Sequence, residues 1–302
     1  MELSGDKLHT YRPTKPVFST NVEWLKMPLT WIEDRTLYVS VVFTFDIPSV
    51  LKKIRQGSLL WDEVVVGGIA PKLMPDMFIN AGCKIEDSTD RNVLENYNPS
   101  ATFTSRGCIN RCKFCAVPLI EGNFRELDEW EDKPIICDNN LLACSAVHLD
   151  KVFDRLEKHD WCDFNQGLDV RLLNDYHAER IGRLKNPTVR LACDSMLVYD
   201  EFDRAVRLLR AFGTPTANIR SLVLVGYNTG VEEAVSRCKF VESYGIRPSP
   251  MWFTRLDSMD RNTVTDSQKD YGWTHELRVA LFRYYYKGFQ SSLLSKYMDK
   301  YK

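Results

Sequence analysis

From residue 101 to residue 256 the chain alternates six times between a short β-type run and a longer run with apolar residues at helical spacing. The β-type runs are ATFTS (101–105), KPIICDNN (133–140), DFNQGLDV (163–170), TVRLACDS (188–195), RSLVLVGY (220–227) and RPSPMWFTRL (247–256). Between them lie HLDKVFDRLEKH, NDYHAERIGRL, YDEFDRAVRLLRAFG and GVEEAVSRCKFVESYG. Strands separated by helices of this length pair in parallel through crossovers, so the expected class is α/β. Six units fall short of the eight that close a full barrel. The expectation is therefore a partial (β/α)6, TIM-like barrel over residues 99–262.

The chain before this series reads as two parts. Residues 1–36 carry Pro13, Pro16 and Pro28 and predict an extended arm. Residues 37–98 predict a small open α/β (Rossmann-like) domain: a strand in TLYVSVVFTFD (36–46), a helix beginning at Pro48, and a strand in DEVVVGGIAP (62–71) that ends in Gly67-Gly68. That glycine pair alone is a weak phosphate-loop signal, and a tight turn is its plainer reading. After the six units, residues 263–302 predict a helical cap.

The 302 residues are 44% apolar and 27% charged with a net charge of −1, which offers no global attraction to nucleic acid or to an anionic membrane. No window is apolar enough for a membrane span and no membrane partner is expected. The first residues lack the apolar core of a secretory signal. Nine cysteines are present, and six of them (Cys83, Cys137, Cys144, Cys162, Cys193 and Cys238) are scattered singly through apolar stretches. That distribution fits reduced, buried thiols in a cytoplasm better than a disulfide framework.

The other three, Cys108, Cys112 and Cys115, fall within the stretch TSRGCINRCKFCAVP (104–118). Gly107, Asn110 and Pro118 argue for a loop there. Structural zinc and ordinary iron–sulfur clusters take four protein ligands, so three thiols imply a metal site with one position open. A zinc site completed by a distant His148 or Cys137 is the alternative, and chance clustering is the blandest reading.

The pattern Cys108-x3-Cys112-x2-Cys115, placed after the first strand of a βα series and with Phe114 before the last cysteine, resembles the signature of the radical S-adenosylmethionine (SAM) superfamily. The resemblance implies a [4Fe–4S] cluster on the three cysteines and SAM bound at the open iron. It also implies reductive cleavage of SAM to a 5′-deoxyadenosyl radical and abstraction of a substrate hydrogen. A reductant such as flavodoxin or ferredoxin would supply the electron.

Other positions match the superfamily more loosely. Asp138, Asn139 and Asn140 end the second strand, where such enzymes hold the SAM amino group, although the common Gly-Gly-Glu form is absent. Val225, Gly226 and Tyr227 resemble the segment near the adenine. Gln166 and Arg171 on the third strand, and Arg190, Asp194 and Ser195 on the fourth, occupy places where barrel strands carry functional groups. Asn165, Gln166 and Asp169 are polar enough to line a wet cavity. Gln166, Arg171 and Cys193 are the candidates for catalysis, Cys193 as a hydrogen donor, with a buried apolar role as its plainer alternative.

Residues 37–85 resemble the cobalamin-binding-like domain of one radical SAM branch, but the Asp-x-His-x-x-Gly pattern is absent. The only histidine before the six units is His9, so no cobalamin is expected. The cysteine loop is also similar to that of methylthiotransferases, which carry three further cysteines in the N-terminal domain; here only Cys83 precedes the triplet. The segment from His275 holds six Lys/Arg against two acidic residues. Arg283, Tyr284, Tyr285, Tyr286 and Lys287 there read either as a nucleic-acid surface or as a cap over the open side of the barrel. Two further expectations follow: modification of a nucleic-acid base, and, from another class, a non-catalytic metal-stapled nucleic-acid-binding protein.

Overall fold

The computed structural model describes residue 24, residues 28–86 and residues 93–301. His9 and most of the expected arm lie outside the described residues. The arm's last part is not an arm: Leu29–Glu33 is strand β1, paired antiparallel with β2 (Thr36–Ser40). Asp34 and Arg35 join them with φ of 44° and 64°, the left-handed pair a two-residue hairpin turn needs. Strand β2 stops at Ser40, short of the expected Asp46.

Helix α1 (Ile47–Gln56) has Pro48 in its first turn, where a missing N–H is harmless. It buries Ile47, Val50, Leu51 and Ile54, one face at helical spacing. β3 (Glu63–Gly67) follows, then α2 (Ile69–Leu73), α3 (Pro75–Ile79) and β4 (Lys84–Ile85). The sheet order is β1-β2-β3-β4, parallel from β2 onward. Gly68 serves a tight turn, since a Cβ there would stand 2.6 Å from the Val41 carbonyl oxygen.

After α4 (Val93–Tyr97) comes the larger sheet. Its strands are β5 (Ala101–Thr102), β8 (Ile135–Ile136), β9 (Cys162–Phe164), β10 (Pro187–Ala192), β11 (Ile219–Val225) and β12 (Arg247–Trp252). All are parallel, and each lies beside the next in chain order. Between β5 and β8 the chain makes β6 (Ser105–Arg106), the short helix α5 (Val117–Ile120) and β7 (Arg125–Glu126), with β6 and β7 antiparallel. Helices α6 (Ala146–Leu156), α7 (Asp175–Arg183), α8 (Tyr199–Ala211) and α9 (Val231–Ser243) are the crossovers.

Crossovers between parallel strands are right-handed, so strands advancing in one direction send every helix to the same face. Burial agrees. In β11, Ile219, Ser221, Val223 and Val225 are buried, whereas Arg220, Leu222 and Leu224 are only partly so. The buried set joins one core with Phe153, Phe164, Phe202, Leu209 and Val235. The other face is covered near β5 and β8, where Trp24, Leu94 and Phe103 pack on Ala101, Ile135 and Cys137.

Several β-runs are shorter than the sequence suggests. The chain leaves the ladder after Ile136 and after Phe164, and Leu168 returns for one bridge to Leu191. Polar residues 138–140 and 165–167 turn out of the sheet instead of extending it.

The C-terminal segment forms α10 (Asp266–Asp270), α11 (His275–Lys287) and α12 (Ser292–Met298). It does not cap the open face, contrary to expectation. Leu281, Tyr285, Leu294 and Met298 enter the core on the helix-covered side, and Tyr284 meets Lys239 of α9. Tyr285 is wholly buried, so the three tyrosines do not form one stacking surface. Tyr286 donates its hydroxyl to the Pro250 carbonyl at the outer edge of β12. Pro248 and Pro250 lack N–H donors and suit an edge strand.

The small sheet's elements sit against loops of the larger one. Lys72 Nζ donates to the Ile120 carbonyl at 3.3 Å, Thr44 Oγ1 to the Ser258 carbonyl at 2.5 Å, and Arg261 lies over the Phe45 ring at 4.9 Å. Among the described residues no helix is long and apolar enough to cross a membrane.

Gly182 of α7 tests the helix layer. A Cβ there would overlap the Phe212 carbonyl oxygen beyond the end of α8. Alanine gains up to about 1 kcal/mol in helix propensity, but overpacking against backbone costs roughly 1–3 kcal/mol. Gly182→Ala is expected to lower the denaturant midpoint; a midpoint at or above wild type would refute this packing.

Candidate metal centre

The three cysteines lie on the loop between β6 and β7, at the C-terminal edge of the parallel sheet. Two carboxylates fix that loop. Asp138, just after β8, is buried and accepts from Thr104 N–H at 2.7 Å, Thr104 Oγ1 at 2.6 Å and Ser105 Oγ at 2.6 Å. Glu121, just after α5, accepts from Gly107 N–H at 2.7 Å and Asn139 Nδ2 at 2.9 Å, and pairs with Arg106 at 2.9 Å. Glu121 thus clasps the two ends of the loop together. Gly107 has φ +75°, and a Cβ there would overlap the Asn123 carbonyl oxygen, so only glycine turns the chain there.

All three thiols are free and half-buried. Cys108 Sγ accepts from Asn110 N–H at 3.3 Å and lies 3.6 Å from Asn140 Nδ2. Burial pushes the Cys112 thiol up; Arg171 opposes this, and Cys108, Asp194 and Asp169 add to it. Burial likewise pushes Cys115 up, against a bond from the Val117 backbone, and the fields of Cys112, Cys108 and Asp194 reinforce it. Cys108 is tied to Asp169 through Asn110 and Asn140, Cys115 N–H donates to the Cys112 carbonyl at 3.0 Å, and the fields of Arg171, Asp169 and Asp194 reach Cys112.

Asp169 knits that neighbourhood together. It takes Arg171 in a two-pronged pair, both at 2.7 Å, and accepts from Asn110 at 3.0 Å and Asn140 at 3.4 Å. Burial alone would raise its carboxyl, but Arg171 and Asn110 hold it below the ordinary value. Asn140 is buried, and its Oδ1 has no hydrogen-bond partner. A buried carbonyl oxygen left unpaired costs about 1–3 kcal/mol, which a donor arriving at the site would recover.

Phe114 is brought against Tyr227, ring centroids 5.3 Å apart, and Tyr227 against Phe253 at 4.8 Å. These rings form an aromatic wall beside the thiols. Asp194 accepts from Leu224 N–H at 3.0 Å, and its own carbonyl takes Arg237 at 2.7 Å. Burial raises its carboxyl.

The remaining expected residues stand elsewhere. Asp138 and Asn139 are engaged by the loop itself and act as positioning residues. Cys193 is fully buried in the helix-side core, where burial pushes its thiol up to about 12; its strand parity aims it away from the open face. Val225 is also core, and its carbonyl accepts from Phe253 N–H at 2.8 Å. Gly226 is approached by Trp252 and Gln268 of the chain itself. Ser195 caps a helical turn by accepting from Leu197 N–H. Gln166 is exposed, and Arg190 pairs with Asp163 deeper in the sheet. His148 and Cys137 have partners of their own: His148 Nε2 lies 3.2 Å from Thr104 Oγ1, and Cys137 lies 4.0 Å from Asn165 Nδ2.

Glu121 and Phe253 go unnoticed in the sequence, where Asn110 marks only a loop. Asn110 lies inside the cysteine motif and could have been suspected; the other two carry no local signal. Among the described residues, no group of three or more His, Cys, Asp or Glu side chains is placed to hold one metal ion. A cubane takes each thiolate on a different iron, so its ligands stand farther apart than those of a single ion. Three free thiols in one neighbourhood, with amide donors on Cys108 and an unpaired acceptor alongside, fit such a group.

No protein-family model matches the chain, and no curated protein sequence matches it.

Asp138 predicts a pH dependence. Burial outweighs its three hydrogen bonds and raises its carboxyl from 3.8 to about 6. Because the folded value exceeds the unfolded one, protonated Asp138 favours the fold below about 3.8, and that contribution is lost as pH rises through about 6. The loss is roughly 2–3 kcal/mol. Asp138→Asn removes it, so the variant's stability relative to wild type should climb between pH 4 and pH 7. Parallel denaturation curves across that range would refute the assignment.

Proposed function

We propose that the protein is a radical SAM enzyme and that its larger sheet is an incomplete (β/α)6 barrel. The observation that carries the reading is the set of three free thiols at Cys108, Cys112 and Cys115. They share one neighbourhood on the loop that leaves the first strand of an in-order parallel sheet. The order of strands, the single helix-covered face and the proline-blocked edge of β12 support the barrel reading.

Cys108, Cys112 and Cys115 would hold a [4Fe–4S] cluster, which when bound offers an open iron to SAM and the electron for reductive cleavage of its sulfonium. The protein's own residues bind, orient and shield. Asn140 Oδ1, buried and unpaired, is an acceptor for the amino group of SAM. Arg171 offers charge to its carboxylate, with Asp169 holding the guanidinium in place. Phe114 and Tyr227 supply flat apolar surface for the adenosyl part and keep water from it. Asp138 and Glu121 act through the loop rather than on the ligand. An electron donor such as flavodoxin or ferredoxin would serve as partner.

After anaerobic reconstitution with iron and sulfide and reduction by dithionite, wild type should carry roughly four irons per chain. It should also release 5′-deoxyadenosine from SAM. Cys112→Ala should lose both. Asn140→Ala should weaken SAM binding to the loaded protein by roughly tenfold, the value of one hydrogen bond to a charged group. A wild-type protein that takes zinc, excludes iron and leaves SAM intact would overturn the reading.

A further inference from the structure

The open face of the sheet carries a second chemical feature, away from the thiols. Arg190 of β10 stands directly opposite Arg220 of β11, and Arg220 directly opposite Arg247 of β12. Val189, Leu191 and Ile219 are buried in the helix-side core, so Arg190 and Arg220 project from the other face, and strand register puts Arg247 on that face with them. Adjacent strands are about 4.8 Å apart, which sets three guanidinium groups in a close row.

Among the described residues only one of the three has a counter-ion. Arg190 binds Asp163 through both terminal nitrogens and also donates to the Phe164 carbonyl at 3.1 Å. Arg220 and Arg247 form no hydrogen bond and no ion pair among the described residues, although both are partly buried. Burial, and then the like charge of Arg247, pull Arg220 below its ordinary value. Like charges placed directly across neighbouring strands oppose folding, and partial burial of an unpaired cation adds to that cost.

We propose that the Arg190–Arg220–Arg247 row is a binding site for a phosphorylated small molecule. Guanidinium forks match phosphate oxygens in pairs, and a phosphate dianion or pyrophosphate offsets the charge that the fold leaves unmatched. A small molecule suits the site better than a nucleic-acid backbone. The row crosses only three strands, its arginines are partly buried, and the chain as a whole has a net charge of −1.

Above the row the face turns apolar, with Ala192 and Leu222 closing on Gly167. Asp194, whose field reaches Cys112 and Cys115, is four residues on from Arg190 and two past the end of β10, an extended span of about 13 Å. A ligand held by its phosphate on the arginines would present its far end to the thiol loop. That orientation, and hence the identification of the ligand as substrate, rests on the radical SAM reading; the binding of phosphate does not.

The test is calorimetric titration of full-length protein with pyrophosphate and with inorganic phosphate, against sodium chloride at matched ionic strength. Wild type should bind pyrophosphate, and Arg220→Gln and Arg247→Gln should each weaken binding by roughly tenfold or more. Exposed Arg55→Gln should not weaken it. Without phosphate, Arg220→Gln should melt no lower than wild type, because it removes a repulsion rather than a bond. Cys112→Ala should bind pyrophosphate as wild type does, so loss of radical chemistry and loss of the anion site are read separately. Absence of pyrophosphate binding, binding unaffected by both variants, or tighter arginine-dependent binding of a single-stranded oligonucleotide would overturn the proposal.

Discussion

Six parallel strands laid side by side in chain order leave the helices no choice of face. Every crossover turns the same way, so one side of the sheet is buried under α6 to α9 and α11, and the other must find different cover. Most of what distinguishes this chain follows from that asymmetry. Val189, Leu191, Val223 and Val225 are spent on the helix layer, while Arg190 and Arg220 occupy alternate positions of the same strands and Arg247 the matching position of β12. A sheet covered on both faces could not place unpaired arginines in its strands. The prolines of β12 complete the arrangement, because an edge without donors at Pro248 and Pro250 does not recruit further strands.

The thiol loop depends on the same sheet in a different way. Of the loop's apolar side chains, Ile109 and Leu119 are exposed and Val117 is buried, so the loop has no apolar core of its own to keep three sulfurs together. Its shape comes from buried carboxylates at its margins: Asp138 on Thr104 and Ser105, Glu121 on Gly107 and Arg106. Both carboxylates lie at the C-terminal edge of the strands, where the small sheet also makes contact through Lys72 and Ile120. The expense of burying charge is accepted where backbone must be held in an irregular path.

The helices were legible because their apolar residues recur at one period over ten or more positions. The ends of the strands were not. KPIICDNN and DFNQGLDV read as continuous β-runs, yet apart from the bridge at Leu168 only Ile135–Ile136 and Cys162–Phe164 pair, since Asp138, Asn140 and Asp169 find better partners in the loop than in a ladder. The hairpin of β1 and β2 was missed because Asp34-Arg35 lacks the glycine that usually marks such a turn. The C-terminal helices were recognised as helices but assigned to the wrong face; amphipathicity says that a face is buried, never against what. The cysteine triplet was visible as spacing. Glu121 was invisible, because one glutamate after a four-residue helix has no pattern. The arginine row was equally hidden: Arg190, Arg220 and Arg247 are about thirty residues apart, and only strand register aligns them.

The placement of the cations on the open face has an electrostatic logic of its own. A free guanidinium about 4 Å from a thiolate, at an effective dielectric of about 20, would attract it by about 4 kcal/mol and compete with any metal for the sulfur. At about 13 Å the same attraction falls to roughly 1 kcal/mol, before salt reduces it further. Arg171, whose field reaches Cys112, is held by Asp169 in a two-pronged pair that already offsets its charge. The unpaired arginines, Arg220 and Arg247, stand at the other end of the strands. One face can thus keep sulfur ligands available at its upper edge and an anion-attracting row at its base, because distance and a single carboxylate separate the two.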